Sequence, residues 1–378
     1  MSTSYLGGGA AIAAEDVPAL YAGANFYTPA IADLGWTSLL AWTVSLLERN
    51  GPVPLVRPTA IAPDTRCAAV CVIGSGAAMA DLPPTGDEFA MAVRELAAMT
   101  GASDFDAVYP LAAATVSAVV PVAVASQLGV PLLDADGEGR TFALIHHTAM
   151  HLAGVAATPL VVRGVTGESV GIRVLASARV DTLLRSNVEV LGGWAALAGY
   201  PSTAGELCRA ALPGTVSRLL NVGRLLREST GADELVARLA AVTGCRRLGR
   251  GRIVELEHLS RPTDLMNPAH PSTVVIDEVG GGGGGGGGKC DSGRMYRLEL
   301  RSEIVAVFAD GALVAAAPDL ISLVNVQYGE VATLDNLEPG DLVDILVMPA
   351  DAVWYSAEGL AMVGPASHGI PLDHPRRR

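Results

Sequence analysis

The sequence is nearly devoid of lysine: of its 26 basic residues only Lys289 is one, which leaves 26 − 1 = 25 arginines. Schiff-base chemistry needs a lysine held in a rigid pocket, and Lys289 directly follows nine glycines at 280–288. PLP enzymes and lysine-dependent aldolases are therefore excluded. Charge is scarce as well, at 17% of residues against about 25% in an average soluble domain. What charge there is leans acidic, 26 basic against 39 acidic residues for a net −13. Without a basic stripe to neutralise phosphates, nucleic acid is not an expected partner.

Cysteine is sparse and unpatterned. The five cysteines, at 67, 71, 208, 245 and 290, form no CxxC pair, and an odd, scattered set is not a disulfide framework. A reducing cytoplasm is the expected compartment. The first 18 residues carry no basic stretch, and their first charges are Glu15 and Asp16, so they do not read as a secretory signal. From Val108 to Leu133 there is no charge at all, which is long enough to span a bilayer. Yet Pro110, Pro121, Gln127 and Pro131 interrupt the run, and its flanks are Asp104, Asp106 and Asp134 rather than basic residues. It reads as the buried heart of an α/β domain, with no membrane partner.

What is present is an alternation of strand and helix signals. The apolar run CAAVCVI (67–73) enters Gly74-Ser75-Gly76 and then a helical pattern, the βα signature of a sheet covered on both faces. Cys67 and Cys71 fall on that strand and are assigned to the core. Further strands are expected at 106–109 and 130–133, with a helix at 115–128 closed by Gly129. The segment 159–180 changes to rough alternation around Gly167, and the domain boundary is placed there.

The expected fold is α/β: an N-terminal three-layer α/β/α domain at 1–165, then a C-terminal domain at 166–378 containing a small β-barrel. Within the second domain, helices are expected at about 203–244, barrel strands at about 245–350, and a flexible polyglycine hairpin extension at 280–288. Gly283, Gly288 and Lys289 mimic a P-loop. Cys290 stands where Mg²⁺ needs Ser or Thr, and a strand follows where a helix is required, so no P-loop nucleotide is expected.

Three polar groupings stand out. Gly74-Ser75-Gly76 either makes a tight turn or offers backbone amides to a ligand. Asp134, Asp136 and Arg140 follow a buried strand at its carboxyl end, where open α/β sheets place ligands, although Asp and Gly are also common turn residues. The stretch His146-His147-Thr-Ala-Met-His151 puts His147 and His151 at i, i+4, on one face if it is helical. That spacing suits a divalent metal such as zinc with Asp136 or Asp134 as oxygen ligand, and equally suits metal-free acid–base catalysis or plain structure.

Five stretches together resemble the S-methyl thiohydantoin desulfurase-like family, once a family of unknown function: PVAVASQLGVPLLDADGEGRTF (121–142), LGGWAAL (191–197), LPGTVSRLLNVGRLL (212–226), APDLISLVN (317–325) and WYSAEGLAMVGPASHGI (354–370). The resemblance implies the same two-domain fold, and hydrolytic removal of a methylthio group, with members often found beside hydantoinase or oxoprolinase proteins. It carries over the Asp134 to Arg140 stretch, Gly192, Gly193 and Glu303. Two departures matter: the family's N-terminal glycine-rich loop ending in an acid reads AGANFYTPAIADLGW here, and Ala112 stands where the family usually has a glutamate. The expected protein is a hydrolase or lyase acting on a small heterocycle, with Asp134, Asp136, His147 and His151 as catalytic residues. Arg140, Gly74, Ser75, Gly76, Gly192, Gly193 and Glu303 are expected to bind substrate. The alternative is a member that keeps the fold as a cyclase-like binder or interaction subunit. The low-charge surface suggests a homo-oligomer.

Overall fold

The computed structural model describes residues 10–28, 37–258, 272–279, 293–301 and 303–375. These fall into two compact units, one drawn from within residues 1–24 and 33–221, the other from within 25–32 and 222–378.

The first unit holds β1 (Ala11–Ile12), β2 (Val53–Val56), β3 (Arg66–Gly74), β4 (Ala107–Pro110), β5 (Leu132–Leu133), β6 (Ala135–Asp136), β7 (Leu160–Arg163), β8 (Ser169–Ile172), β9 (Trp194–Thr203) and β10 (Leu212–Pro213). Eight of them form one sheet in the order β1-β2-β5-β4-β3-β9-β7-β8, while β6 pairs with β10 alone. The run β2, β5, β4, β3 is parallel, and β9, β7 and β8 continue it antiparallel.

Its helices are α1 (Val17–Phe26), which runs past the edge of the unit, α2 (Thr37–Asn50), α3 (Gly76–Asp81), α4 (Glu88–Thr100), α5 (Val120–Leu128), α6 (Ala149–Leu152), α7 (Val180–Val190), α8 (Ala204–Ala210) and the start of α9 (Thr215–Glu228). Successive side chains of a strand point to opposite faces. Cys67, Ala69 and Cys71 of β3 join a core with residues of α6, α7 and α8. Helices α4 and α5 pack on the sheet but contribute nothing to that core, so they cover the other face. A strand flanked by helices on both sides has no solvent face, which is why β3 reads as an unbroken apolar run.

The sequence places a boundary at 165/166, yet β7, β8 and β9 all belong to the first sheet. Alternation about Gly167 is what an antiparallel hairpin looks like in isolation. Here that hairpin is annexed by β9, which lies beside β3 from Arg66↔Thr203 to Gly74↔Trp194. The charge-free stretch Val108–Leu133 becomes β4, a 3-10 turn at Thr115–Ala118, α5 and β5. No helix among the described residues is long and apolar enough to cross a membrane.

The second unit contains α10 (Ala232–Thr243), β11 (Arg246–Glu257), β12 (Thr273–Glu278), β13 (Met295–Leu300), β14 (Ile304–Ala309), β15 (Ala312–Ala316), β16 (Leu320–Asn325), β17 (Glu330–Ala332), β18 (Leu342–Met348) and α11 (Ala357–Val363). The strands form one antiparallel sheet in the order β15-β14-β13-β12-β11-β18-β16-β17. Irregular registers at Arg247/Gly249, Ile253/Glu255, Glu299/Leu300 and Val307/Phe308 bend the strands as bulges do. As a result β14 and β15 return to touch β16, and one apolar core fills the concave side. No ladder among the described residues joins the two ends, so the expected barrel is found as a large bent sheet. Strand signals give the number of strands, whereas closure depends on how the two end strands pair. The polyglycine at 280–288, Lys289, Cys290 and the arginines at 376–378 lie outside the described residues.

Candidate functional site

The carboxyl ends of the four parallel strands lie along one edge of the first sheet, joined by the start of antiparallel β9. Open α/β sheets bind ligands at such an edge, and most of the candidate residues gather there. The loop after β3 meets the turn before β9: the Ser75 N–H donates to the Gly193 carbonyl at 2.9 Å. Gly74 sits at φ +103°, and a Cβ there would lie 2.3 Å from the Gly193 oxygen. The Ser75 side chain caps α3 by accepting from the Ala78 N–H. Gly74, Ser75, Gly76, Gly192 and Gly193 thus come together, and what they show is a close crossing of two backbones.

The two aspartates carry structural loads. Asp134 is 4% exposed, and its carboxylate accepts from the Ser217 N–H at 3.0 Å and the Ser217 hydroxyl at 2.7 Å. It therefore caps the first turn of α9 from a distant part of the chain. Asp136 is wholly buried and accepts from the N–H groups of Ala113 at 2.5 Å, Glu138 at 3.2 Å and Gly139 at 2.9 Å. Between them these bonds tie the loop after β4 to the turn after β6.

Below the edge, Glu138 and Arg140 are each 3% exposed. Glu138 accepts from the Phe142 N–H at 2.8 Å. Burial pushes its carboxyl well above the usual range, with Asp136 adding to the push while the Phe142 N–H and Arg140 oppose it. The Arg140 guanidinium lies over the Phe142 ring, 5.0 Å from its centroid, a cation–π contact.

The histidines depart from expectation. Thr148 caps α6, which begins only at Ala149, so His147 precedes the helix and does not share a helical face with His151. Threonine competes for backbone N–H groups as a cap, and that local choice stops the helix short. The residue so presented is His146. Its Nδ1 lies 2.6 Å from Asp181 Oδ2, and its ring centroid is 4.7 Å from that of His147 and 5.7 Å from that of His151. Both members of the pair are mostly buried, with 14% and 13% of their side chains exposed. Burial, and then His146, lowers the His151 pKa.

The loop carrying His146 is clamped. The Ile145 N–H donates to Asp181 Oδ1 at 2.9 Å. The Tyr200 hydroxyl donates to the Ile145 carbonyl at 3.0 Å and accepts from the Thr148 hydroxyl at 3.1 Å. Tyr200 itself sits at φ +46°, and its carbonyl accepts from the Tyr109 hydroxyl at 2.8 Å.

No group of three or more His, Cys, Asp or Glu among the described residues could hold a metal ion. His146 Nδ1 faces Asp181, and the Asp136 oxygens face backbone amides, so the donor set does not fit zinc. Glu303 belongs to the second unit, just before β14, where its carbonyl accepts from the Arg301 N–H at 2.8 Å. Sequence reasoning did not single out Glu138, His146, Asp181 or Tyr200 as candidates, although Glu138 lies inside the Asp134 to Arg140 stretch that the resemblance carries over. His146 stood inside a flagged segment, but Asp181 and Tyr200 lie 35 and 55 or so positions away from that loop in sequence and carry no local signal.

Two family models account for nearly the whole chain: the N-terminal domain of the S-Me-THD-like proteins matches residues 15–174, and their C-terminal domain matches 176–376. The chain belongs to the S-Me-THD-like family. Its two family domains meet between 174 and 176, ahead of α7. No curated protein matches the sequence. The fold is similar to a crystal structure of a protein from Chromobacterium violaceum, with a TM-score of 0.75 at 21% identity over 96% of this chain and 98% of that one.

Proposed function

We propose that this S-Me-THD-like protein hydrolyses the C–S bond of an S-methyl thiohydantoin-like heterocycle in the cytoplasm, releasing methanethiol. The observation that carries the reading is the His146–Asp181 pair at 2.6 Å, next to His147 and His151 and in the same unit as a buried acid and an arginine. A carboxylate on Nδ1 fixes the imidazole so that Nε2 can take a proton.

Water attacks the ring carbon that bears the methylthio group and gives its proton to His146 Nε2, forming the C–O bond. The π electrons of the C=N bond move onto nitrogen. Collapse of the tetrahedral intermediate breaks the C–S bond, and its electron pair leaves with sulfur. The proton returns from His146 to that sulfur, the nitrogen lone pair re-forms the bond to carbon as sulfur leaves, and the hydroxyl proton moves to the ring nitrogen, so water and substrate give the hydantoin and methanethiol. Glu138, which burial holds towards its neutral form, supplies a hydrogen bond to the ring nitrogen as charge develops there. Arg140 holds a ring carbonyl, and His147 and His151 line the approach.

The test is methanethiol release from synthetic S-methyl thiohydantoins, followed by a thiol-reactive dye. Release that disappears in His146→Ala supports the reading, and no release from any S-methyl thiohydantoin overturns it. A second reading, a binder without turnover, is favoured by Asp134 and Asp136 being committed to backbone and Ser217 donors. Calorimetric binding of the heterocycle without thiol release would select it.

A further inference from the structure

The second unit contains a cleft of about 330 Å³ lined by Arg246, Asp319 and His374, with apolar walls that include Val314, Val347 and Pro349. None of these residues has a part in the chemistry proposed for the first unit.

Arg246 opens β11 opposite Val347 and is exposed. Its neighbours are spoken for: Arg247 and Arg250 both reach Asp233 and the buried Asp344. Arg246 has no ion pair or side-chain hydrogen bond among the described residues. In a chain of net charge −13, an arginine left without an acid at the rim of a cleft is a site for an anion from outside. Its planar fork matches a carboxylate in two parallel bonds.

Deeper in the cleft the sign reverses. Asp319 and His374 have only 6% and 1% of their side chains exposed. The Tyr355 hydroxyl donates to Asp319 Oδ1, and Asp319 Oδ2 lies 3.5 Å from His374 Nε2. A carbonyl only accepts, so Nε2 carries the hydrogen it directs at the Ala316 oxygen, 3.1 Å away. The tyrosine hydroxyl therefore fixes a buried carboxylate in place, with the His374 ring beside it. A bare dianion such as phosphate would be repelled by it, whereas a cationic donor would be drawn to it.

A ligand suited to this cleft carries a carboxylate for Arg246, an ammonium for Asp319, and an apolar group for the valine and proline wall. The cleft of about 330 Å³ is large enough to admit a free amino acid. We infer that this cleft is a second small-molecule site, which binds an α-amino acid through its carboxylate on Arg246 and its ammonium at Asp319.

The test is a thermal-shift screen of the full-length protein against each of the twenty L-amino acids at millimolar concentration, with calorimetry on those that shift. At least one apolar amino acid is expected to bind, with acetate and ethylamine alone much weaker. Arg246→Gln, a surface change, should weaken that binding about tenfold or more and leave methanethiol release without added amino acid unchanged. His146→Ala should bind the amino acid as the parent does, which separates this site from the one in the first unit. The inference is overturned by no shift with any of the twenty, by equal binding to Arg246→Gln, by acetate binding as well as the amino acid, or by loss of binding in His146→Ala.

Discussion

Two stretches of the first unit, fewer than ten residues apart, handle their polar side chains in opposite ways. In the turn around Asp134 and Asp136 the carboxylate oxygens accept from backbone N–H groups and from Ser217. In the loop at 145–148 the backbone is held by Tyr200 and Asp181, while among the described residues the His146 ring is hydrogen-bonded on Nδ1 alone. A carboxylate that satisfies three buried amides cannot leave them to serve a substrate, because each orphaned amide costs about 1–3 kcal/mol. An imidazole held by one nitrogen keeps the other for chemistry. Residue type draws attention to both stretches, and the partners already engaged decide between them.

Substitutions on either side should break that comparison in opposite directions. The largest effect is expected from His146→Ala, which should lower the turnover number for methanethiol release by roughly a thousandfold while shifting the urea midpoint little. Comparable loss of stability would place His146 with the structural group. Asp136→Ala should do the reverse. Three buried N–H groups lose their acceptor, so unfolding free energy should fall by about 3 kcal/mol or more, read by urea denaturation. Activity per folded molecule should survive where folded protein can be recovered. Asp181→Asn comes next. It keeps the shape but presents an amide to Nδ1, and turnover should fall by roughly a hundredfold, with the pH profile altered because the imidazole tautomer is no longer fixed.

Much of this was legible in the sequence. The run at 67–73 announced a central buried strand, and Gly74 marked a turn that a Cβ would obstruct. Two features were not. The helix expected through His147 starts at Ala149 because Thr148 caps it, a local choice that histidine spacing does not report. The pairing of His146 with Asp181 depends on α7 lying over β3 and β9, and tertiary packing of that kind leaves no periodicity to read. The boundary behaved likewise: strand signals at 159–180 were sound, but which sheet they join depends on β9, some way downstream.

Glu138 sharpens the comparison, since it is a buried acid whose perturbation runs against the usual direction. Its folded pKa lies well above the ordinary 4.5, so above about pH 4.5 the native state holds a proton that the unfolded chain releases. Stability from this group must then fall as pH rises, up to the folded pKa, by at most about 1.4 kcal/mol per pH unit. Glu138→Gln keeps an oxygen for the Phe142 N–H and removes the ionisation. Urea titrations at successive pH values should show a flatter dependence in the variant, with its relative stability growing as pH rises. A parallel pair of curves would mean that Glu138 is ionised in the folded protein.

The smallest expected effect isolates the Asp134 cap. Ser217→Ala removes the hydroxyl at 2.7 Å from Asp134 Oδ2 but leaves the backbone N–H that donates to Oδ1 at 3.0 Å. Because the carboxylate keeps one donor and the favourable end of the α9 dipole, the loss should be near 1 kcal/mol, with methanethiol release unchanged. Asp134→Ala removes both bonds and the charge, and should cost about twice as much. If Ser217→Ala instead abolished turnover at unaltered stability, Asp134 would have to act on substrate through that hydroxyl, and the division between structural carboxylates and a reactive imidazole would fail at its first member.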